Sequence, residues 1–249
     1  MLPHMALRTA LLMAAGRGTR LGVLTASTPK PLLEVAGKPL LAHIIEGLTE
    51  AGLERFVIVT GYLGEQIESW CVHFGSAHPR ITIQTIRQPA LNGTGGAMLA
   101  AREMLSSEDQ FVFGWGDIVM DRVNYPRFIA ESRTMDCDLM LAANEIGDPW
   151  RGGAVYFDSE LRVKRLVEKP SRGTSSTKWN NAGLFATNRC LFEYLERLQP
   201  SPRGELELPQ AIAAMIADGR VVRAFKVQGF WSDVGTPEDL EAARTHFKP

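Results

Sequence analysis

The chain has 249 residues, a formal net charge of −1, 22% charged residues and three cysteines. That balance gives no electrostatic case for nucleic acid or an anionic membrane surface, and no apolar run approaches the length of a bilayer span. Cys71, Cys137 and Cys190 are too far apart for a C-x-x-C metal site and, being odd in number, make no disulfide framework, so a reducing cytoplasm is expected.

Residues 1–4, ahead of the second methionine Met5, are read as an added leader, with no signal peptide expected. A single domain over 5–249 is expected, with a nucleotide-binding half to about 135 and a sugar-binding half from about 136. The first element is an apolar run, Leu7 to Met13, that reads as a buried strand. It runs into Gly16-Arg17-Gly18-Thr19-Arg20 and, ten residues on, Pro29-Lys30-Pro31. Glycines at 16 and 18 permit a sharp turn and let a phosphate approach bare N–H groups, while Arg20 and Lys30 supply cations for the same anion. A plain surface turn is the competing reading of G-x-G alone. The dinucleotide fingerprint fails because Leu21 stands where its third glycine belongs, and no Walker loop occurs.

A helix is predicted after Pro39, with Leu40, Leu41, Ile44, Ile45 and Leu48 at helical spacing and an end near Gly52. Phe56–Thr60 reads as a strand, Leu63–Phe74 as a helix, Ile81–Ile86 as a strand, Ala97–Leu105 as a helix and Phe111–Phe113 as a central strand. This alternation predicts an α/β fold with a mostly parallel sheet covered on both faces, and ligands gather at the carboxyl ends of such strands. Gly16, Gln88 and Asp117 all fall just past such ends. The second half changes texture. Ala154–Phe157 and Val163–Val167 form an antiparallel pair and Ala182–Ala186 a strand; helices at Leu191–Leu198 and Leu208–Ala217 and a strand at Val221–Val227 follow. Near the end, Thr236 is a helix N-cap, with Pro237 in the first helical position and Glu238 and Asp239 in the first turn. The mix suggests a parallel core with an inserted β-rich lobe.

Asp117 and Asp233 each follow a strand end, and two carboxylates beside phosphate suit Mg²⁺. Each is equally readable as a turn or cap aspartate. Gln88, with exposed backbone at Gly93, has the donor and acceptor to read a base edge, against a reading as plain turn chemistry. Glu168-Lys169 ends a strand either as a surface ion pair or as a carboxylate for sugar hydroxyls beside an ammonium for phosphate; Asn181 adds an amide for a polyol.

Taken in order, G-R-G-T-R, P-K-P, Q-x-x-x-x-G-T, G-D, E-K-P, N-A-G and W-x-D-V-G-T-P-E-D make the chain resemble the sugar-1-phosphate nucleotidylyltransferases, from about Thr9 to Arg244. The resemblance implies a Rossmann-like mixed, mostly parallel sheet flanked by helices, with a smaller β-rich sugar-binding lobe. It implies that Ala15, Gly16, Gly18, Thr19 and Arg20 wrap a nucleoside triphosphate, that Lys30 and Lys169 act on phosphates, and that Gln88, Gly93 and Thr94 meet the base. It further implies that Asp117 and Asp233 hold Mg²⁺, and that Gly153, Glu168 and Asn181 seat the sugar phosphate. The implied reaction joins a nucleotidyl group, from UTP or dTTP by preference, to a sugar 1-phosphate with release of pyrophosphate. Partners are then these two substrates, with no nucleic acid or membrane, and with a homo-oligomer open. The alternatives are a cytidylyltransferase acting on a sugar phosphate or phosphocholine, and a non-catalytic nucleotide-sugar sensor. Trp115, just before Gly116-Asp117, is expected to narrow the site. No left-handed β-helix lies within the 249 residues, so the stand-alone uridylyl-, thymidylyl- and cytidylyltransferases are the nearer resemblance.

Overall fold

A computed structural model describes residues 7–134 and 136–248. The expected leader, residues 1–4, falls outside these described residues. In chain order the strands are β1 (Thr9–Ala14), β2 (Glu34–Val35), β3 (Lys38–Pro39), β4 (Arg55–Thr60), β5 (Thr82–Arg87), β6 (Gln110–Trp115), β7 (Val119–Met120), β8 (Leu139–Glu145), β9 (Gly153–Phe157), β10 (Val163–Glu168), β11 (Trp179–Asn188), β12 (Val222–Lys226) and β13 (Trp231–Ser232). The helices are α1 (Leu40–Glu50), α2 (Gly64–Ala77), α3 (Thr94–Ala100), α4 (Asn124–Thr134), α5 (Cys190–Leu195), α6 (Leu208–Ala217) and α7 (Pro237–His246).

Nine strands make one mixed sheet. Its order is β10-β9-β11-β6-β1-β4-β5, with β8 on β11 and β12 on β8. The first half is parallel: β1 pairs with β4 and β6, and β4 with β5. β11 then enters antiparallel to both β6 and β8. The β9–β10 hairpin joins the same sheet through Asn180↔Ala154, so the β-rich portion is continuous with the core.

Alternation along β1 shows how both faces are covered. Leu11 and Met13 point to a core shared with α3, α5 and α6; Ala10, Leu12 and Ala14 point to one shared with α1, α2 and α4. In α1, Leu41, Ile44, Ile45 and Leu48 fall on one face and are fully buried, worth roughly 1.5–3 kcal/mol each. A charge at Ile44 would therefore unseat the helix. A third, smaller core under α7 joins Leu240 and Ala243 to Val234, Val35 and Val119. Among the described residues no helix is long and apolar enough to cross a membrane.

Most predicted elements are present with bounds shifted by a few residues. The predicted Ala97–Leu105 helix is instead α3, starting at Thr94, followed by a separate 3-10 turn at Glu103–Leu105. α4, β8 and the two-stranded β7–β13 ribbon are additional to the sequence reading. That ribbon matters for the site. It pairs Val119 with Ser232, so the segments carrying Asp117 and Asp233 are tied side by side.

Candidate active site

A cavity of about 550 Å³ opens at the carboxyl ends of β1, β5 and β6 and reaches across to β10 and β11. It is lined by Ala15, Gly16, Gly18, Thr19, Arg20, Lys30, Gln88, Gly93, Thr94, Asp117, Glu168, Lys169, Asn181 and Asp233. Gly153 is the one residue named from the sequence that is not on its wall. It is buried opposite Glu168 in the β9–β10 register, and its neighbour Gly152 lines the cavity instead.

At one end β1 stops at Ala14 and the chain turns through Gly18, whose φ of 63° is in the left-handed region. A Cβ there would stand 3.1 Å from Lys30 Cβ, so glycine serves both the turn and the approach of Lys30. The N–H groups of Gly16, Arg17 and Gly18 donate to no other described residue, leaving a nest of amides facing the cavity. Lys30 is set in a single 3-10 turn between two prolines, is only 6% exposed, and places Nζ 2.5 Å from Asp117 Oδ2. Arg20 stands 4.0 Å from Asp233.

Burial pushes the Asp233 carboxyl above its usual range; Lys30 opposes this and the nearby Asp117 charge adds to it. Two carboxylates close enough to feel each other, beside backbone amides with no acceptor of their own, form a donor set that suits a hard cation completed by phosphate oxygens and water. No group of three or more metal-ligating side chains occurs among the described residues, so the protein's share of such a shell is partial.

The loop from Gln88 to Thr94 is tied by hydrogen bonds to the segment that leads into α6. Gln88, 6% exposed, donates from Nε2 to Asn92 Oδ1 (2.9 Å) and to Gly93 O (3.1 Å). With the amide N–H₂ engaged by two acceptors, Oε1 is the atom left to read a ligand. Gly93, at φ 97°, lies so close to Leu206 and Glu205 that no side chain fits. Leu206 N donates to Asn92 O and Gly95 N to Leu206 O, while Thr94 Oγ1 accepts from Leu208 N at the start of α6. Thr94 thus ties the loop to α6 as well as facing the cavity. Trp115 lines the cavity, edge-on to Phe185 with centroids 6.3 Å apart.

At the other end burial raises Glu168 to about 7; Lys169 and Arg203 pull it down and Glu207 and Glu205 push it up. Lys169 Nζ is 4.0 Å from Glu168 Oε1, and its φ of 44° is a left-handed backbone carried by a non-glycine residue. Asn180 and Asn181 are 3% and 1% exposed. The sequence reading missed Arg203, Glu205 and Glu207, which line this end, with Arg203 bonded to Glu207 at 2.7 Å. Burial raises Glu207, but hydrogen bonds from Arg203 and Ser201 outweigh it and hold the carboxyl below its usual value. The available signal was Arg-Gly-Glu-Leu-Glu, whose glutamates at i and i+2 share one side of an extended segment. Arg17, Arg151 and Trp231 were also missed as lining residues, while Asn180, in the segment read as an amide source for a polyol, joins Asn181 on the wall.

Comparison with known proteins agrees with this layout. Over 238 residues the chain is 32% identical to the bifunctional protein GlmU of Methanococcus maripaludis, covering 96% of this chain and 54% of that one. It thus spans about half the length of the bifunctional relatives it matches. It is 29% identical to the UTP–glucose-1-phosphate uridylyltransferase AglF of Haloferax volcanii, covering 94% of each. A UDP-glucose pyrophosphorylase solved with UDP-glucose superposes with a TM-score of 0.86 at 21% identity, over 96% of this chain and 98% of that one, and shares the fold. Residues 9–248 match the Nucleotidyl transferase family, and with that match and this site the chain belongs to it.

Proposed function

We propose that the protein transfers a nucleotidyl group from UTP or dTTP to a sugar 1-phosphate, releasing pyrophosphate. The observation that carries the reading is that one cavity joins the amide nest of Gly16–Gly18 and Lys30 to a second end bearing Glu168, Lys169 and two buried asparagines. AglF, a relative of the same length, bears the name of this activity with UTP and glucose 1-phosphate.

In the reaction an oxygen of the sugar 1-phosphate attacks the α-phosphorus in line. A new P–O bond forms as the bond to pyrophosphate breaks, and no covalent enzyme intermediate is required. The chain's share is positioning and charge. The nest and Arg20 hold the β- and γ-phosphates, Lys30 meets charge growing on the α-phosphoryl oxygens, and Lys169 holds the attacking phosphate. Gln88 Oε1 accepts from an imide N–H, the donor that uracil and thymine present and cytosine lacks, which favours UTP or dTTP over CTP. Glu168 and Asn181 bind sugar hydroxyls. Asp117 and Asp233 would hold Mg²⁺, which supplies charge neutralisation on the phosphates when bound.

The test is pyrophosphate release across UTP, dTTP, CTP, GTP and ATP against several sugar 1-phosphates and phosphocholine, with and without Mg²⁺. The expected result is Mg²⁺-dependent release with UTP or dTTP and a hexose 1-phosphate. Release only with CTP and phosphocholine overturns the assignment of base and acceptor. Silence with every pair, while nucleotide sugars still bind, overturns catalysis in favour of a sensor.

A further inference from the structure

Five buried side-chain polar atoms have no hydrogen-bond partner among the described residues, and two of them, Asn180 Oδ1 and Asn181 Nδ2, belong to residues lining the acceptor end of the cavity. A buried polar group left unpaired costs roughly 1–3 kcal/mol, so such atoms at a cavity wall ask what satisfies them. The family resemblance accounts for Asn181. Nothing so far accounts for Asn180.

The orientation of Asn180 is fixed. Its Nδ2 donates to Asn144 Oδ1 at 3.0 Å and to Asn181 O at 3.0 Å. Turning the amide over would set its oxygen against those two acceptors, so Oδ1 points the other way. There it meets Gly152, where a Cβ would fall on the space that Oδ1 occupies. Gly152, itself part of the cavity wall, thus packs against this oxygen directly after the 3-10 turn Pro149–Arg151. Asn144, buried on β8 directly across from Asn180, is not on the wall. Its evident contact here is to hold the neighbouring amide.

Building on the proposed function, we infer that Asn180 is a specificity-determining residue, positioned by Asn144, whose Oδ1 accepts a hydrogen bond from one O–H or N–H donor on the sugar ring of the acceptor, with Gly152 yielding as the sugar enters. A wall built to accept that bond discriminates against a sugar lacking the donor, because the amide oxygen then stays buried and unpaired.

The test uses the hexose 1-phosphate that the protein turns over, and its analogues with fluorine replacing a hydroxyl or an acetamido group, one ring position at a time. Fluorine keeps the size of a hydroxyl but cannot donate. In the wild type, kcat/KM is expected to fall about 10- to 100-fold at the position read by Asn180. Asn180→Leu should reduce that one penalty to under about threefold and leave those owed to Glu168 and Asn181 unchanged. Asn144→Leu should erase the same penalty, and Asn144→Asp, which keeps an oxygen for Asn180 Nδ2, should retain it. Where Asn180→Leu does not fold, Gly152→Ala displaces the amide oxygen and is expected to give the same selective loss. Penalties unchanged at every position in these variants overturn the inference while the proposed function stands. Absence of turnover with any hexose 1-phosphate in the wild type overturns both.

Discussion

At the phosphate end of the cavity Lys30 already grips Asp117 at 2.5 Å, and Arg20 stands beside Asp233. At the acceptor end Asn180 Oδ1 and Asn181 Nδ2 are buried without partners, and Glu168 sits among carboxylates that oppose its ionisation. The first end is charge-balanced before any ligand arrives, as suits a site for triphosphates whose charge varies little between nucleotides. The second holds buried groups without partners, which under the proposed function a particular sugar would satisfy. Fixed charge gives rate and unpaired polarity gives selection, because only the missing partner of a buried group carries a large penalty for the wrong ligand.

Breaking the balanced end should have the largest effect. Lys30→Met is expected to lower kcat by about 10²–10³, the scale for removing one donor aimed at transition-state charge. Asp117→Asn should lower Mg²⁺-supported turnover to a similar degree, and it also strips a buried lysine of its partner. A stability loss of about 2–3 kcal/mol is expected, below the usual 3–5 for a fully buried pair because the Asp117 side chain retains 27% exposure. Turnover assays with a denaturant midpoint for each variant separate the two effects. Normal Mg²⁺-dependent turnover in a folded Asp117→Asn protein would remove Asp117 from the metal site.

At the selective end the next effect is a pH dependence. Glu168 ordinarily titrates at 4.5, and burial raises it to about 7 in the folded chain. The native state therefore holds this proton more tightly than the unfolded chain. The stability it contributes is full below about pH 4.5 and is lost as pH rises through about 7. Glu168→Gln should accordingly be more stable than the wild type at pH 8, by up to ~3 kcal/mol, and equal to it near pH 4. Function should move the opposite way: kcat/KM for the sugar phosphate should rise in the wild type as pH climbs through 7. The variant should lose that rise and run about tenfold lower at pH 8, the worth of a charged hydrogen bond. Parallel pH profiles in the two proteins would mean that the carboxylate does not touch the sugar.

The same contrast explains what could be read from the chain. The phosphate end is carried by contiguous segments, 16–20 and 29–31, whose glycines, prolines and cations are legible in one dimension. The acceptor end is assembled across long separations. Arg203–Glu207 looks like a charged surface stretch until Leu206 is bonded to Asn92 and Gly95. Asn144 acquires meaning only opposite Asn180. β8 went unread because Leu-Met-Leu-Ala-Ala has no β-branched residue and no period to separate strand from helix.

Gly18→Ala sharpens the phosphate end. Alanine at a φ of 63° costs about 1–2 kcal/mol, and its Cβ would press on Lys30 from 3.1 Å. The expected result is a several-fold rise in KM for the nucleoside triphosphate, with KM for the sugar phosphate unchanged. Equal rises in both would show that the two ends are not independent.

The smallest effect tests what fixes Asp233. α7 begins at Pro237, five residues after Ser232, with a full capping box: Asp239 N donates to Thr236 Oγ1 at 3.3 Å and Thr236 N to Asp239 Oδ2 at 2.9 Å. Losing such a cap costs about 1 kcal/mol, or roughly 2–4 °C in Tm for a domain of this size. Asp233, however, follows directly on the β7–β13 ribbon, and Val234 N is held by Ser232 Oγ at 3.0 Å. Thr236→Ala should therefore lower Tm by that amount and leave the Mg²⁺ concentration for half-maximal turnover within twofold of the wild type. A larger change would transfer the placing of Asp233 from the ribbon to the helix, and would make α7 part of the balanced end.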